Sequence, residues 1–346
     1  MEQSHVGRTK SRLWLILGLG TVSLFILFLI SLSVGSYNMS WSDALQAFIN
    51  SVMMGGDTSA MNTQEKIVFL VRFPRFLAAI AVGIGLAIAG AIMQAIVRNP
   101  LVDPYITGVA SGASFGAIAL TMLGFASGTL AVYLLPMSAF IGAILAFIIT
   151  MSISEAAGGK AIAFVLSGVV VAYAFSAFTN IIIVSNPDQH KSIMFWMFGS
   201  LASADLTQDA IMLIALFFIG AAALLYAREL NVLLLGDEQA NQLGVNSRRL
   251  KLTMMVLASV MTAVCVAFTG VIAFLGLLVP HIARIIVGSD HRLLLPASMM
   301  IGANFLLVTD IVTKMNGDLP IGAVISLIGA PFFGYLLISR GRDYGS

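Results

Sequence analysis

The stretch that decides the fold runs from residue 65 to residue 116 and reads EKIVFLVRFPRFLAAIAVGIGLAIAGAIMQAIVRNPLVDPYITGVASGASFG. After Arg72-Phe73-Pro74-Arg75 it is apolar for about twenty residues, the length that a helix needs to cross a bilayer. The turn Asn99-Pro100-Leu101 follows, stiffened by its proline and by Pro104, and a second apolar run rich in glycine then begins. We therefore predict two packed membrane spans, joined by a stiff polar turn and entered through paired arginines.

The composition of the whole chain extends this prediction to an all-α polytopic membrane protein. The 346 residues are 59% hydrophobic and only 10% charged, whereas soluble domains carry about 25% charged residues. Apolar runs long enough to cross a bilayer recur from end to end, and we predict one transmembrane domain over residues 1–346, with a ten-span bundle at 13–339. The predicted spans are 13–36, 76–97, 106–124, 130–153, 161–184, 206–227, 252–271, 274–288, 295–313 and 320–339.

The first span follows a basic tail at residues 1–12, so a cleaved signal peptide is the alternative interpretation. A signal peptide has an apolar core of about 7–15 residues and a small-residue cleavage site, whereas this apolar run continues from Leu13 to Gly35. We predict a retained span with its preceding tail in the cytoplasm.

The distribution of lysine and arginine sets the orientation, because cytoplasmic loops are enriched in both. With the N-terminus in the cytoplasm, 13 of the 18 Lys and Arg residues lie on the cytoplasmic side. An even number of spans returns the C-terminus to the cytoplasm. The five residues left on the outer side are Lys66, Arg72, Arg75, Lys191 and Lys314.

No enzyme constellation is present in the sequence. The four histidines are scattered without metal-ligand spacing, so we expect no metal site and no cofactor bound by this chain. Gly158-Gly159-Lys160 lacks the full phosphate-binding pattern, and Ala161 stands where a magnesium-binding hydroxyl is needed. Ion-coupled secondary transport normally needs ionisable groups at mid-membrane depth, and these are scarce here. The sequence therefore favours a pump driven by an external motor over a secondary transporter. A passive membrane anchor is the other alternative, and it would not need the ordered loop motifs described below.

The longest cytoplasmic loop, residues 228–251, supplies a docking surface for such a motor. Within it, residues 235–244 read as a short helix closed by a glycine, with acidic residues near its start. Ala240 and Leu243 are three apart, so we expect them to share one face of this helix. The alternative is an amphipathic linker on the membrane surface, but the segment is too acidic for an anionic inner leaflet.

Lys66, Arg72 and Arg75 cluster at the outer mouth of one span. Arginines at span ends often extend to lipid headgroups. The alternative is that they recognise carboxylates on a delivery protein or an anionic ligand. Asp310 and Lys314, four residues apart, are expected to pair on one helix face.

These features occur together, in order, in one known family. The chain resembles the membrane-spanning permeases of type II ABC importers for iron chelates, haem and cobalamin. The matching motifs are Arg72-x-Pro74-Arg75, Gly90-x-x-Met93-Gln94 with Asn99-Pro100-Leu101, Trp196-x-x-Gly199-Ser200, Leu235-Gly236 with Leu243-Gly244, Phe274-x-Gly276 with Pro280-His281-x-x-Arg284, and Leu319-Pro320-x-Gly322 with Gly329-x-Pro331.

The resemblance implies a multi-pass protein of the cell membrane that acts as the permease subunit of an ATP-driven importer. It implies a homodimer or close heterodimer, two cytoplasmic ATPase subunits that hold ATP and Mg, and an outer substrate-binding protein, with no role for nucleic acid. The expected cargo is a ferric siderophore. Cobalamin and haem are the alternatives within the family, and an oxyanion such as molybdate is a further one.

The resemblance also implies roles for individual residues. Asn99 and Leu101 match a cytoplasmic gate, and the loop from Ser152 to Lys160, with Ser152 and Ser154, matches a second constriction. Arg72, Arg75 and Lys314 match positions that dock the binding protein. The positions that match the ATPase-coupling segment are Gly236, Asp237, Glu238, Ala240, Leu243 and Gly244.

Overall fold

The structure, a computed structural model, describes residues 2–123, 131–185, 194 and 196–341. Lys191 and Arg342, which entered the orientation argument, lie outside these ranges. Within the described ranges the chain is all-helical and contains no strand. The helices are α1 (Glu2–Ser33), α2 (Trp41–Met53), α3 (Thr63–Ile67), α4 (Phe73–Val97), α5 (Val109–Met122), α6 (Ala131–Ala156), α7 (Ala161–Ser185), α8 (Leu206–Leu225), α9 (Ala227–Leu233), α10 (Asp237–Gln242), α11 (Ser247–Thr269), α12 (Leu275–Val287), α13 (His291–Met315) and α14 (Ile321–Gly341).

Ten of these helices correspond to the ten predicted spans. In the part of the chain that the structure describes, seven helical segments are long and apolar enough to cross a membrane, and α5, α12 and α14 contain three shorter apolar segments. The division predicted within 252–288 is confirmed, because α11 ends at Thr269 and α12 begins at Leu275. At 13 residues α12 is about 20 Å long, shorter than the hydrocarbon core.

The second span is longer than predicted. Its helix begins at Thr63, runs through a π-helical segment at Val68–Arg72 and continues into α4. The start is fixed by a capping box, in which Asn62 accepts from the Glu65 N–H and the Glu65 carboxylate accepts from the Asn62 N–H. The span predicted from hydropathy starts at residue 76 because the charged residues before it, Lys66, Arg72 and Arg75, lower the local hydropathy.

Helix α4 forms the centre of the bundle. It packs against α13, α11, α12 and α8, and most of its residues are buried. Glycines allow its backbone to touch two of these neighbours directly: a Cβ at Gly83 would lie 2.4 Å from the Gly302 carbonyl oxygen, and one at Gly90 would lie 1.7 Å from that of Gly276. Small residues thus provide the close helix contacts that lipid cannot drive by itself.

The turn after α4 returns into the bundle instead of remaining at its surface. Residues Pro104–Thr107 form a 3₁₀ turn, Gly108 with φ +78° caps the N-terminus of α5, and α5 begins at Val109, three residues later than predicted. The Tyr105 hydroxyl donates to the Ile272 carbonyl oxygen and accepts from the Ile272 N–H, both at 3.1 Å. The turn is therefore bonded to the segment between α11 and α12.

One outer helix, α2, was not predicted. Ser40 caps its N-terminus by accepting from the Asp43 N–H, and its buried Ala44 and Ala47 pack with Leu32 and Val68. Because α2 is only 13 residues long, hydropathy over a membrane-length window does not detect it.

The loops separate onto two faces as the charge distribution predicted. On one face, the Arg12 guanidinium lies 3.3 Å from the Ile286 carbonyl oxygen, and the Asn231 amide donates to Asp290 at 2.6 Å. This face, which the charge distribution predicts to be cytoplasmic and which we call the cytoplasmic face, therefore brings together the start of α1, the loop at 288–290 and the loop at 228–251. On the opposite, outer face, the Lys314 ammonium lies 3.0 Å from the Ser31 hydroxyl oxygen.

Candidate functional site

The predicted coupling helix is present as α10. Gly236 precedes it with φ +122°, and Gly244 follows it with φ +83°. The end is closed by hydrogen bonds from the Val245 N–H to the Ala240 carbonyl (2.9 Å) and from the Gly244 N–H to the Asn241 carbonyl (3.0 Å). The glycine-closed short helix predicted for residues 235–244 is confirmed.

The face that this helix presents differs from the prediction. Ala240 is fully buried, whereas Leu243 is 62% exposed and Leu235 is 61% exposed. The expectation that Ala240 and Leu243 share one face is wrong, because Ala240 is buried against the bundle whereas Leu243, which follows the last residue of the helix, is exposed. Ala240 anchors α10 to the bundle, and Glu238 together with the two leucines that flank the helix forms its exposed apolar and acidic face.

Asp237, at the first position of α10, lies between two cations from other elements. Its Oδ1 pairs with the Arg98 guanidinium, and its Oδ2 lies 2.5 Å from the Lys251 Nζ. Arg98 ends α4, and Lys251 lies in the first turns of α11. Sequence reasoning placed Asp237 on the docking helix but did not find its two partners, since no local spacing connects the three positions.

Residues 99–103, which contain the predicted gate residues Asn99 and Leu101, form a tight turn at the cytoplasmic face that we call the gate turn. Asn99 is exposed, and its Oδ1 accepts from the Leu101 N–H at 3.0 Å. Leu101 is half-buried, whereas Val102 is only 4% exposed. Asn99 therefore makes its side-chain hydrogen bond within its own turn. The role of Asn99 and Leu101 as a gate stays a prediction.

Asp103 closes this turn. Its carboxylate accepts from the Tyr105 N–H at 2.9 Å. Burial raises the pKa of the Asp103 carboxyl to about 6, and the backbone hydrogen bonds from Tyr105 and Phe274 oppose part of this rise.

The second predicted constriction is partly misplaced. Ser152 and Ser154 lie in the last turns of α6 and not in a loop, which covers only residues 157–160. Ser152 is exposed and donates to the Ile148 carbonyl at 2.8 Å, while Ser154 is 3% exposed. The helix continues because Ser152 satisfies its hydroxyl on the preceding turn and nothing in 152–156 breaks the helical pattern. The constricting role of these serines stays a prediction.

The last residues of α4 with Arg98, the α6–α7 loop, Asp237 of the coupling helix and the start of α11 line one cavity of about 770 Å³ at the cytoplasmic face. Glu155 pairs across it with Arg248 at 2.8 Å, which connects the end of α6 to the start of α11. The charged lining residues are Arg98, Glu155, Lys160, Asp237, Arg248 and Lys251. The segments matched to gating and to coupling are therefore neighbours in space.

On the outer face, Arg75 is 7% exposed and binds two carboxylates. Its Nε lies 2.7 Å from Asp310, and its Nη1 lies 2.6 Å from Asp318. The predicted pair of Asp310 and Lys314 is confirmed at 3.0 Å. These contacts join α4 to α13 and to the turn that follows α13.

Arg72, 4% exposed, donates to the carbonyl oxygens of Leu32 at 2.5 Å, Ser33 at 2.8 Å and Tyr37 at 2.5 Å. Arg72 and Arg75 are therefore not the exposed cationic patch that the sequence led us to expect, because both guanidinium groups are satisfied inside the chain. Lys66 remains exposed. Docking of a binding protein by Arg72, Arg75 and Lys314 stays a prediction.

Comparison with known proteins places this geometry in a family. Residues 23–339 match the model of the FecCD transport family. The chain belongs to the FecCD transport family. It is 41% identical over 281 residues to the cobalamin import system permease protein BtuC of Halobacterium salinarum, covering 80% of this chain and 75% of that protein. It is 34% identical over 318 residues to the ferric enterobactin transport system permease protein FepD of Escherichia coli, covering 90% and 92%.

A solved structure described as an inward-facing metal-chelate type ABC transporter has the same fold. The two structures superpose with a TM-score of 0.81 and are 31% identical in sequence, and the alignment covers 94% of this chain and 99% of the other. As a FecCD protein, this chain is a membrane-embedded permease subunit of an importer and not an enzyme; ATP is hydrolysed by partner ATPases. Family membership implies an ATPase and a substrate-binding protein as partners.

Proposed function

We propose that the chain is the permease of an importer whose cargo is a ferric siderophore, carried into the cytoplasm by alternating access. The similarity to the Escherichia coli ferric enterobactin permease over most of both chains supports this cargo. Cobalamin is the second candidate, because the Halobacterium salinarum relative is more similar in sequence over a shorter region.

The cargo is tested on the binding protein and then on transport. Thermal unfolding of the cognate binding protein is measured with ferric siderophores, cobalamin, haem and molybdate, because a ligand that binds the folded state raises its midpoint. The stabilising ligand is then offered to proteoliposomes that contain permease and ATPase. Stabilisation and ATP-dependent uptake of a ferric siderophore support the proposal. Uptake of another compound of the panel instead would contradict it and identify that compound as the cargo.

We propose that the ATPase binds the exposed face of α10. The observation that carries this proposal is a pair of exposed leucines, Leu235 and Leu243, that flank a short helix anchored to the bundle by buried Ala240. Exposed leucines beside an acid, on the cytoplasmic face and outside the bilayer, suit a cleft on a soluble partner.

Leu243→Asp tests the ATPase surface, with Leu319→Asp as its matched control. Leu319 is 50% exposed and lies in the turn at the opposite, outer face. We expect Leu243→Asp to abolish co-purification of the ATPase while the permease keeps its wild-type unfolding temperature, and Leu319→Asp to retain the ATPase. Equal retention of the ATPase by both variants would contradict the proposed surface.

We propose that the outer face around Arg75 receives the binding protein. Arg75 already binds Asp310 and Asp318, and Asp318 is 48% exposed on its side chain, so an acid of the partner would approach the guanidinium beside Asp318. Charge pairs at interfaces contribute about 1.5–7 kcal/mol of coupling energy. Binding-protein affinity should fall further in Arg75→Gln than in Arg75→Lys, measured on permease in nanodiscs with unfolding temperatures recorded in parallel. Equal affinities would argue against docking through this charge.

We propose that two copies of the permease assemble with their 99–103 turns facing each other across the path. The turn directly follows Arg98, which lines the cytoplasmic cavity, and this position supports the arrangement. Its test is the crosslinking experiment that ends the Discussion.

A further inference from the structure

One carboxylate joins the end of α4 to the start of α10. Both oxygens of Asp237 are engaged inside the chain, one by Arg98 and the other by Lys251. Arg98 and Asp237 are 139 residues apart in sequence, so the link bridges two elements that the chain itself does not connect.

At the α4 end, the link acts on the residue that directly precedes the gate turn. Arg98 has φ +54°, the left-handed region, and its N–H bonds to the Gln94 carbonyl to end the helix. A non-glycine residue is strained in this region and persists there where its surroundings fix it. The next residues are Asn99 to Leu101, so the direction in which the gate turn leaves α4 depends on how Arg98 is held.

At the α10 end, the link acts on the first residue of the helix. Gly236 turns the chain with φ +122°, and α10 has only six residues, so Asp237 moves with the exposed face of that helix. Lys251 is mostly buried, with 19% of its side chain exposed, and it fixes the other Asp237 oxygen to α11. A displacement of α10 is therefore transmitted to Arg98 through a single side chain.

We infer that Asp237 is a positioning residue that transmits the movement of α10 to the gate turn through Arg98. The inference rests on the proposed docking of an ATPase on α10, and it changes the role expected of Asp237: the carboxylate faces the permease and not the partner. Arg98 and Asp237 are 36% and 50% exposed on their side chains. Ion pairs with this much exposure contribute little to folding. Loss of the Arg98–Asp237 pair should therefore leave the fold intact and weaken the transmission of movement from α10 to the gate turn.

The experiment follows the gate and needs no knowledge of the cargo. The parent protein is the complete transporter in nanodiscs with Cys265→Ala, which removes the only cysteine of the chain, and with Leu101→Cys as a maleimide-reactive reporter. The labelling rate is compared between the nucleotide-free and the ATP–vanadate-trapped states. ATPase binding and ATP hydrolysis are measured on the same samples.

Asp237→Asn and Arg98→Gln, alone and combined, are introduced into this parent. We expect normal ATPase binding but a nucleotide-dependent change in labelling that is about two- to fivefold smaller, the range that one exposed ion pair allows. The double variant should behave like either single variant, because both remove the same link. Arg98→Lys, which keeps a cation, should recover part of the change.

Arg292→Gln is the matched control. It removes another cytoplasmic ion pair, the 2.7 Å contact with Asp290 at the start of α13, and should leave the labelling change as in the parent. A full labelling change in Asp237→Asn, or an equal loss in Arg292→Gln, overturns this inference and leaves the proposed docking standing. Loss of ATPase binding in Asp237→Asn also overturns it, because the carboxylate would then contact the partner directly. A parent that binds no ATPase overturns the proposed docking, and the inference with it.

Discussion

Arg75 and Asp310, 235 residues apart in sequence, form a 2.7 Å ion pair between α4 and α13 in which the carboxylate is fully buried. The carboxylate also forms an ion pair with Lys314 at 3.0 Å, so one acid lies between two buried cations. Removing one partner of a buried pair leaves charge without compensation, which costs about 3–5 kcal/mol.

We therefore expect Asp310→Asn to lower the free energy of unfolding by roughly 3–5 kcal/mol. Thermal unfolding in detergent measures this. The control is Arg292→Gln, which removes a pair with Asp290 in which the arginine side chain is 57% exposed, and it should cost at most about 1 kcal/mol. Equal unfolding temperatures for the two variants would show that the Asp310 pair does not stabilise the fold.

The contact of Gly90 with the Gly276 backbone gives a second prediction. A Cβ at Gly90 would lie 1.7 Å from the Gly276 carbonyl oxygen, so Gly90→Ala forces α4 away from the start of α12. We expect this variant to lose at least about 3 kcal/mol of stability or to fail to assemble in the membrane. The control is Gly18→Ala on α1, where no atom lies within 4 Å of the added methyl group. A Gly90→Ala protein as stable as Gly18→Ala would contradict this packing.

These residues also show what could be predicted from the sequence. The spans and the closure of α10 depend on local signals: apolar length, and glycines at Gly236 and Gly244 where φ is positive. The environment of Arg75 could not be predicted, because charged residues around the start of α4 indicate a surface cluster unless Asp310 and Asp318 are known to lie beside Arg75. Sequence reasoning missed the buried ion pairs of Arg75 because they join residues that are distant in the chain, which no local pattern reveals.

Asp103 predicts a pH dependence of stability. Its folded pKa is raised to about 6 by burial, above the usual 3.8, so the folded state binds the proton more tightly than the unfolded state does. Stability should therefore be highest near pH 4 and fall as the pH rises to about 6. The shift of about two pH units corresponds to roughly 3 kcal/mol at most.

Asp103→Asn should remove this dependence, since the amide oxygen can still accept from the Tyr105 N–H and carries no charge. Unfolding midpoints between pH 4 and pH 7 measure the effect. The control is Asp57→Asn in an exposed outer loop, which should leave the Asp103-dependent slope unchanged. A slope that persists in Asp103→Asn would assign the pH dependence to another group.

The final prediction concerns the gate turn. Leu101 is half-buried at the cytoplasmic end of α4, and its N–H is held by Asn99, so its position is defined by the turn. If two permeases meet across these turns, cysteines at the Leu101 position of both copies come within disulfide distance when the inner end is closed. In a Cys265→Ala background, oxidation of Leu101→Cys should crosslink the permeases in one nucleotide state and stop transport. Leu123→Cys is the control, because Leu123 is 70% exposed at the opposite end of α5 and should give no crosslink that blocks transport. Absence of a Leu101→Cys crosslink in every nucleotide state, with transport intact after oxidation, would leave this turn as a connector between α4 and α5.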